Sequence, residues 1–504
     1  MSRNQRRVKV NLIDCLKPID EFGNTLFHSL AGHEDWEKFQ KMWCQREIHH
    51  IMDKNKKNKK GITPLHIAAL KGHLKTCELI VACHVQDKNP ADNNGITPLC
   101  CAVRKNHIKI CELLLVNVKN KLPSTSEGLT PFHAACHLGH LEICKLFLQN
   151  LADKDKLPTD KYGSTPFHEA AKSGQEEICK LFLENLVNKD KLPTDNYGWT
   201  PFHEAAKVDC IKTVKLFLQK DRVIQEPSEY RGMTPLHIAV INGNLEICRL
   251  LLKNIKNKEP KDNDGDAPLH FAAGSKVFNP DLCHSLLQYS KEKNPYNNHG
   301  ESALHRAADR GFFPLFKAIA KQLDDKNPKT KNGQHITPLH IATERASNAQ
   351  RIKEDSKGFV EICMYILKHI KDKNPRDILG QTPLHVAAAK GNLSLYKLFQ
   401  TQERNPKADD GITPLHKAAM YGHFRVFEWI FNNIRNQEKN PECNLGMTPL
   451  HFAVQKGYVG VVRLILTSKD VLVKNPPNED GKTPLDFADG HREIHRLFQQ
   501  FAEK

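Results

Sequence analysis

Two short apolar patterns alternate along most of this chain. One spans about ten residues with apolar positions at i, i+3, i+4 and i+7, as in Leu141-Glu-Ile-Cys-Lys-Leu-Phe-Leu148, and predicts a helix with a single buried stripe. The other is a shorter run opened by Thr-Pro, as in Thr63-Pro-Leu-His-Ile-Ala-Ala-Leu70. Threonine there is placed to cap a helix with its hydroxyl, and proline at the first helical position gives up no donor that the helix needs. Gly72 and its counterparts, such as Gly139, Gly243 and Gly391, then end the first helix in a left-handed conformation. The pattern therefore predicts a succession of helical hairpins. Leu65 and its equivalents, including Leu99, Phe132, Phe167, Phe202 and Leu236, face a core, and the following alanine pair lets neighbouring helices approach closely. One hairpin cannot bury its own apolar face, but a stack of them can.

The Thr-Pro position returns at Thr25, Thr63, Thr97, Thr130, Thr165, Thr200, Thr234, Ala267, Ser302, Thr337, Thr382, Thr413, Thr448 and Thr483, so fourteen units fill the 504 residues. A period near 33 with T-P-L-H-x-A is the ankyrin signature. The fullest copies, such as Gly61-Ile-Thr-Pro-Leu-His-Ile-Ala-Ala-Leu-Lys-Gly72, closely resemble that family. The resemblance implies an all-α fold, an ankyrin-repeat solenoid of stacked helix-turn-helix units joined by β-hairpin loops. Residues 1–60 then form a degenerate capping unit carrying Trp36, Phe39 and Trp43. Residues 61–482 form the repeat array, and residues 483–504 a C-terminal capping repeat in which Asp486 replaces the histidine. One interval is long, and its extra residues, Glu344 to Lys357, are polar and charged, which predicts a solvated loop.

The connectors depart from the usual ankyrin sequence. Thirteen units place proline there, and two residues earlier twelve carry a base, including Lys88, Lys121, Lys293, Lys326, Arg404, Lys439 and Lys474. That is a ladder of positive charge along one edge, partly cancelled by an acidic residue directly before nine of the bases. It reads first as a solvated edge and alternatively as a surface for an acidic partner. The net charge of +16 keeps anionic partners in play. The densest run, Lys54-Asn-Lys-Lys-Asn-Lys-Lys60, lies at a connector and reads first as a basic turn, with a nuclear-import signal as the alternative. Aromatic residues are few and most phenylalanines hold core positions, so nucleic acid is disfavoured as a partner.

Fifteen cysteines include a column, Cys77, Cys111, Cys144, Cys179, Cys248, Cys283 and Cys363, at one repeat position. Successive members are expected about 10 Å apart, beyond disulfide reach, as apolar core residues of a reducing compartment. With no long apolar run, membrane insertion is not expected and the cytoplasm is, with the nucleus as the alternative.

Catalytic motifs are absent on inspection. His168-Glu-Ala-Ala-Lys and His203-Glu-Ala-Ala-Lys lack the second histidine of a zinc-protease helix. The histidine ladder from His28 to His451 is spaced too widely for its members to share one ion, so no metal and no cofactor is expected. In the family this histidine hydrogen-bonds near the helix start and joins neighbouring repeats.

The expected function is binding. Family partners are usually recognised in the groove formed by the hairpin tips and the exposed side of the first helices. Most tips here are Asn, Asp, Lys or Ser, but Tyr162 and Tyr197 stand before their tip glycines, Trp199 after one, and Tyr230-Arg231 before Gly232. Tyr, Trp and Arg dominate binding hot spots. These five residues are the candidate partner site, and the competing reading packs their rings on the next hairpin. Three functions follow: a scaffold or adaptor holding proteins in its groove, an inhibitor or effector engaging an acidic partner or nucleic-acid-associated regulator through the basic edge, and a sensor of small phosphorylated ligands.

Overall fold

Most helix pairs begin at the threonine, and histidine shares the work of capping. Thr63 is extended, its N–H donates to His66 Nδ1 at 3.0 Å, and its hydroxyl lies 2.9 Å from the same nitrogen. The hydroxyl is 3.5 Å from the His66 amide, so the cap is a reciprocal box with histidine where glutamate is commonest. Because Nδ1 accepts, Nε2 carries the proton and donates to a carbonyl of the following unit: His66 to Ile96 O at 3.0 Å, His168 to Trp199 O at 2.8 Å, and His416 to Met447 O at 3.1 Å. At the last unit Asp486 takes the role, its Oδ2 accepting from the Thr483 amide at 2.7 Å and hydroxyl at 2.8 Å.

The computed structural model describes residues 17–33, 35–44, 55–83, 87–151, 157–185, 192–219, 231–274, 279–352, 355–399, 403–435 and 438–502. All its regular elements are helical, in pairs such as Pro131–Leu138 with Leu141–Asn150 and Pro166–Lys172 with Glu176–Asn185. Among the described residues the connectors form tight turns without strands, apart from one isolated antiparallel bridge between Tyr296 and Ser302. The chain divides into two compact units, residues 1–256 and 257–504.

In the first unit, the phenylalanines that replace the usual leucine have partners one helix away. Phe132 stacks on Phe147 at 5.1 Å and on Phe182 at 5.7 Å. Phe167 stacks on Phe182 at 4.8 Å and on Phe217 at 5.8 Å, and Phe202 on Phe217 at 5.1 Å. The rings thus zip three successive hairpins together, while Ala170, Ala171, Ala205 and Ala206 are fully buried at the contacts between first helices. At the start of the chain Phe27, Phe39 and Trp43 form a buried aromatic cluster.

In the second unit the long interval corrects the expectation of a solvated loop at 344–357. The first helix of that pair runs on from Pro338 to Ile352, and the second starts at Lys357. Ala342, Ala346 and Ala349 are buried, so small residues at helical spacing carry the element past the usual stop.

The cysteine column is buried, and its members are free thiols. Burial pushes the thiols of Cys77, Cys111, Cys283 and Cys363 up to about 12, which keeps them protonated and inert. No helix of the described residues is long and apolar enough to cross a membrane.

Candidate partner-binding surface

The aromatic tips are built by the aspartate three residues ahead of the glycine. Asp160 Oδ1 accepts the amides of Tyr162 and Ser164, both at 2.8 Å, and Gly163 turns the chain at φ 78°. A Cβ on Gly163 would sit 2.4 Å from Asn196 Oδ1 of the next tip, so glycine is required there twice over. Asp195 repeats the construction, accepting from Tyr197 and Trp199 at 2.8 Å each. The Asn196 amide donates to Tyr162 O at 2.9 Å, tying one tip to the next.

This frame presents Tyr162 and Tyr197 on successive tips, 51% and 48% exposed. Lys161 Nζ lies 4.9 Å from the Tyr162 ring centre and pairs with Glu127. Trp199 behaves differently. It is half-buried, its ring stacks on His203 at 6.0 Å, and Lys207 Nζ lies 5.3 Å from it. Arg231 is exposed, and Tyr230 lies outside the described residues. The sequence-derived set is therefore brought together in part, as two outward tyrosines with a tryptophan that chiefly packs within its own unit.

Beside the tips, the outer faces of the first helices carry Glu169 and Glu204, whose side chains are only 13% and 15% exposed. Glu169 pairs with His137 at 3.2 Å and Lys172 at 3.3 Å. Glu204 has Lys207 at 3.9 Å, too far for a hydrogen bond, and burial raises its carboxyl above the usual range against the pull of Lys207 and Lys172. Leu138, Val208 and Ile241 are exposed at the ends of these and neighbouring first helices.

Several bases of the edge are tied down by backbone carbonyls. Lys293 Nζ donates to Ser290 O at 2.6 Å, Lys474 Nζ to Leu466 O at 2.6 Å, Lys326 Nζ to Leu323 O, and Arg404 Nη1 to Asn433 O at 3.1 Å. These cations satisfy carbonyls at or just past the ends of second helices. Lys439 is 7% exposed and pairs with Asp470. Lys54 lies outside the described residues, but the rest of its basic run forms a turn, with Asn58 Oδ1 accepting the amides of Lys60 and Ile62 at 2.9 Å each.

Two features escaped the sequence reading. The residue after the edge base is often asparagine, and Asn89, Asn294, Asn327 and Asn405 each accept a backbone amide at the start of the first helix, Leu99, Leu304, Leu339 and Leu415, at 3.0 Å. Apolar tips also occur outside the aromatic cluster: Ile378 and Leu379 are 53% and 58% exposed, and Leu445 is 65% exposed. The signal was the pair Ile-Leu directly before Gly380, where most tips are polar. Among the described residues no three of His, Cys, Asp and Glu come together as a metal-binding group.

A family model described as Ankyrin repeats (3 copies) matches residues 27–122, 116–192, 156–227, 185–264, 221–295, 349–441 and 432–503, most of the chain. No curated protein matches it. Among similar solved structures, the ankyrin repeat domain of Bcl-3, described as a unique member of the IkappaB protein family, shares 23% identity and a TM-score of 0.38. The match covers 42% of this chain and 94% of that one, a likeness too slight to carry an argument.

Proposed function

The chain belongs to the ankyrin-repeat family, and we propose that it is a non-catalytic scaffold or adaptor that binds partner proteins along the groove of tips and first helices. The observation that carries this reading is the pair of tyrosines, Tyr162 and Tyr197, held half-exposed on successive tips whose backbones are locked by Asp160 and Asp195. Large rings on a rigid frame lose little entropy when covered, which is what a binding hot spot requires. Arg231 extends the same surface, while Trp199 supports it from within. A competing reading has the basic edge hold an acidic partner. It would require free cations, and Lys293, Lys326, Lys474 and Arg404 are spent on helix-end carbonyls.

Photo-cross-linking tests the site directly. A benzophenone amino acid placed at position 162 or 197 should capture one discrete protein in the native cell, and the same probe at Val116, 81% exposed on a second helix, should not. Equal capture from all three positions would remove the assignment.

A further inference from the structure

The second compact unit, residues 257–504, contains a polar cavity of about 430 Å³. It opens on the outer faces of three successive first helices, Ala303–Arg310, Pro338–Ile352 and Pro383–Lys390. Four carboxylates line it, Glu301, Asp309, Glu344 and Asp377, against two guanidiniums, Arg306 and Arg345. Three of the carboxylates already have cations: Glu301 has Arg306 at 3.1 Å, Asp309 has Arg345 at 2.6 Å, and Glu344 has Lys390 at 3.2 Å. Asp377 pairs with no cation of the described residues. Its Oδ1 accepts the amides of Leu379 at 2.9 Å and Gln381 at 2.8 Å. The neighbouring Arg376 is committed to the carbonyls of Gly380 and Lys407. His340 in the cavity stays neutral, because burial lowers its pKa and its Nε2 donates to Gln381 O at 3.2 Å. Arg310 also lies 3.8 Å from Asp309, so Asp377 is the lining carboxylate left without a cation of its own among the described residues.

We propose that this cavity is a second docking site, which takes the basic side chain, arginine or lysine, of an extended segment of a partner protein. The inference rests on the reading of the chain as a protein-binding scaffold and adds the partner's chemistry. Asp377 supplies the missing counter-charge, and the ion pairs around it hold the remaining carboxylates in place to accept further N–H donors. Ile341 and Val386 line the same cavity and give the aliphatic stem of the incoming side chain an apolar path. At the rim the exposed Ile378 and Leu379 offer a landing for an apolar residue next to the basic one. Glu344 and Arg345 stand at the repeat positions that Asp309 and Arg310 hold one unit earlier, so the charged wall is built from the exposed faces of two successive first helices.

The test is panning of a phage-displayed heptapeptide library on the intact 504-residue protein. Recovered peptides, labelled with fluorescein, are then titrated by polarisation against wild type and the variants Asp377→Asn and Glu344→Gln. Asparagine keeps an oxygen for the Leu379 and Gln381 amides, and circular dichroism verifies that both variants fold. The expected result is enrichment of arginine or lysine beside an aliphatic residue, with binding weakened at least tenfold by Asp377→Asn. Recovery of no binders, of peptides without a basic residue, or of acidic peptides read by Arg306 and Arg345 would overturn the proposal. So would an unchanged Kd in Asp377→Asn. The tyrosine surface is assayed separately by cross-linking from position 162, so either site can fail without deciding the other.

Discussion

A single ring, the repeat histidine, links helix capping to stacking and makes the fold sensitive to acid. Its Nδ1 must accept and its Nε2 must donate, so the folded state holds the imidazole neutral. Burial, the largest cause, pushes His203, His305 and His385 down to about 4 and His416 to about 3, against an ordinary value of 6.5. For such a base the unfolded chain binds more protons between the two values. The stabilisation is therefore complete above pH 6.5 and is lost progressively as pH falls toward 4. The urea midpoint should fall steeply across that window, and a flat profile between pH 7 and 4.5 would contradict the neutral-imidazole arrangement. The edge lysines give a second expectation at this scale. Lys293→Met keeps the aliphatic stem but abandons the Ser290 carbonyl, and should cost about 1 kcal/mol in chemical denaturation.

At the scale of elements, the zipper of phenylalanines and the buried alanines set the spacing of the hairpins. Phe167→Ala removes a ring sandwiched between Phe182 and Phe217 and should destabilise by about 3–5 kcal/mol. Ala170→Leu or Ala205→Leu forces extra volume into a contact with no space and should cost about 1–3 kcal/mol. Hydrogen exchange should place the loss in the altered hairpin and its neighbours, since coupling in a stack runs between adjacent units. Protection lost equally at the helices starting at Leu26 and at Leu245 would count against it. The starts of most first helices were legible because Thr-Pro-x-His marks them, and their ends because glycine usually follows. The extension to Ile352 was not, since its buried stripe is Ala342, Ala346 and Ala349, residues too small to register as an apolar pattern among Glu, Arg and Asn. The cavity beside it was equally hidden, because Asp309, Glu344 and Asp377 belong to three different repeats and only folding brings them together.

For the molecule as a whole, the surface divides its labour in a way that composition does not reveal. The positive edge read first as solvated and alternatively as a surface for an acidic partner, yet several of those cations close helix ends, and the exposed large apolar side chains at the described tips include Phe22, Tyr162, Tyr197, Ile378, Leu379 and Leu445. Of the candidate partner site, the two tyrosines were legible as departures from polar tips. The inward turn of Trp199 was not, because it depends on the His203 ring beneath it. The central claim is that partner proteins are gripped at these tips, and calorimetric titration of the protein captured from position 162 tests it most directly. With the Tyr162→Ala/Tyr197→Ala double variant the affinity should fall by at least about 2 kcal/mol while the far-ultraviolet circular dichroism spectrum stays unchanged. An affinity equal to wild type in that folded double variant would contradict the account.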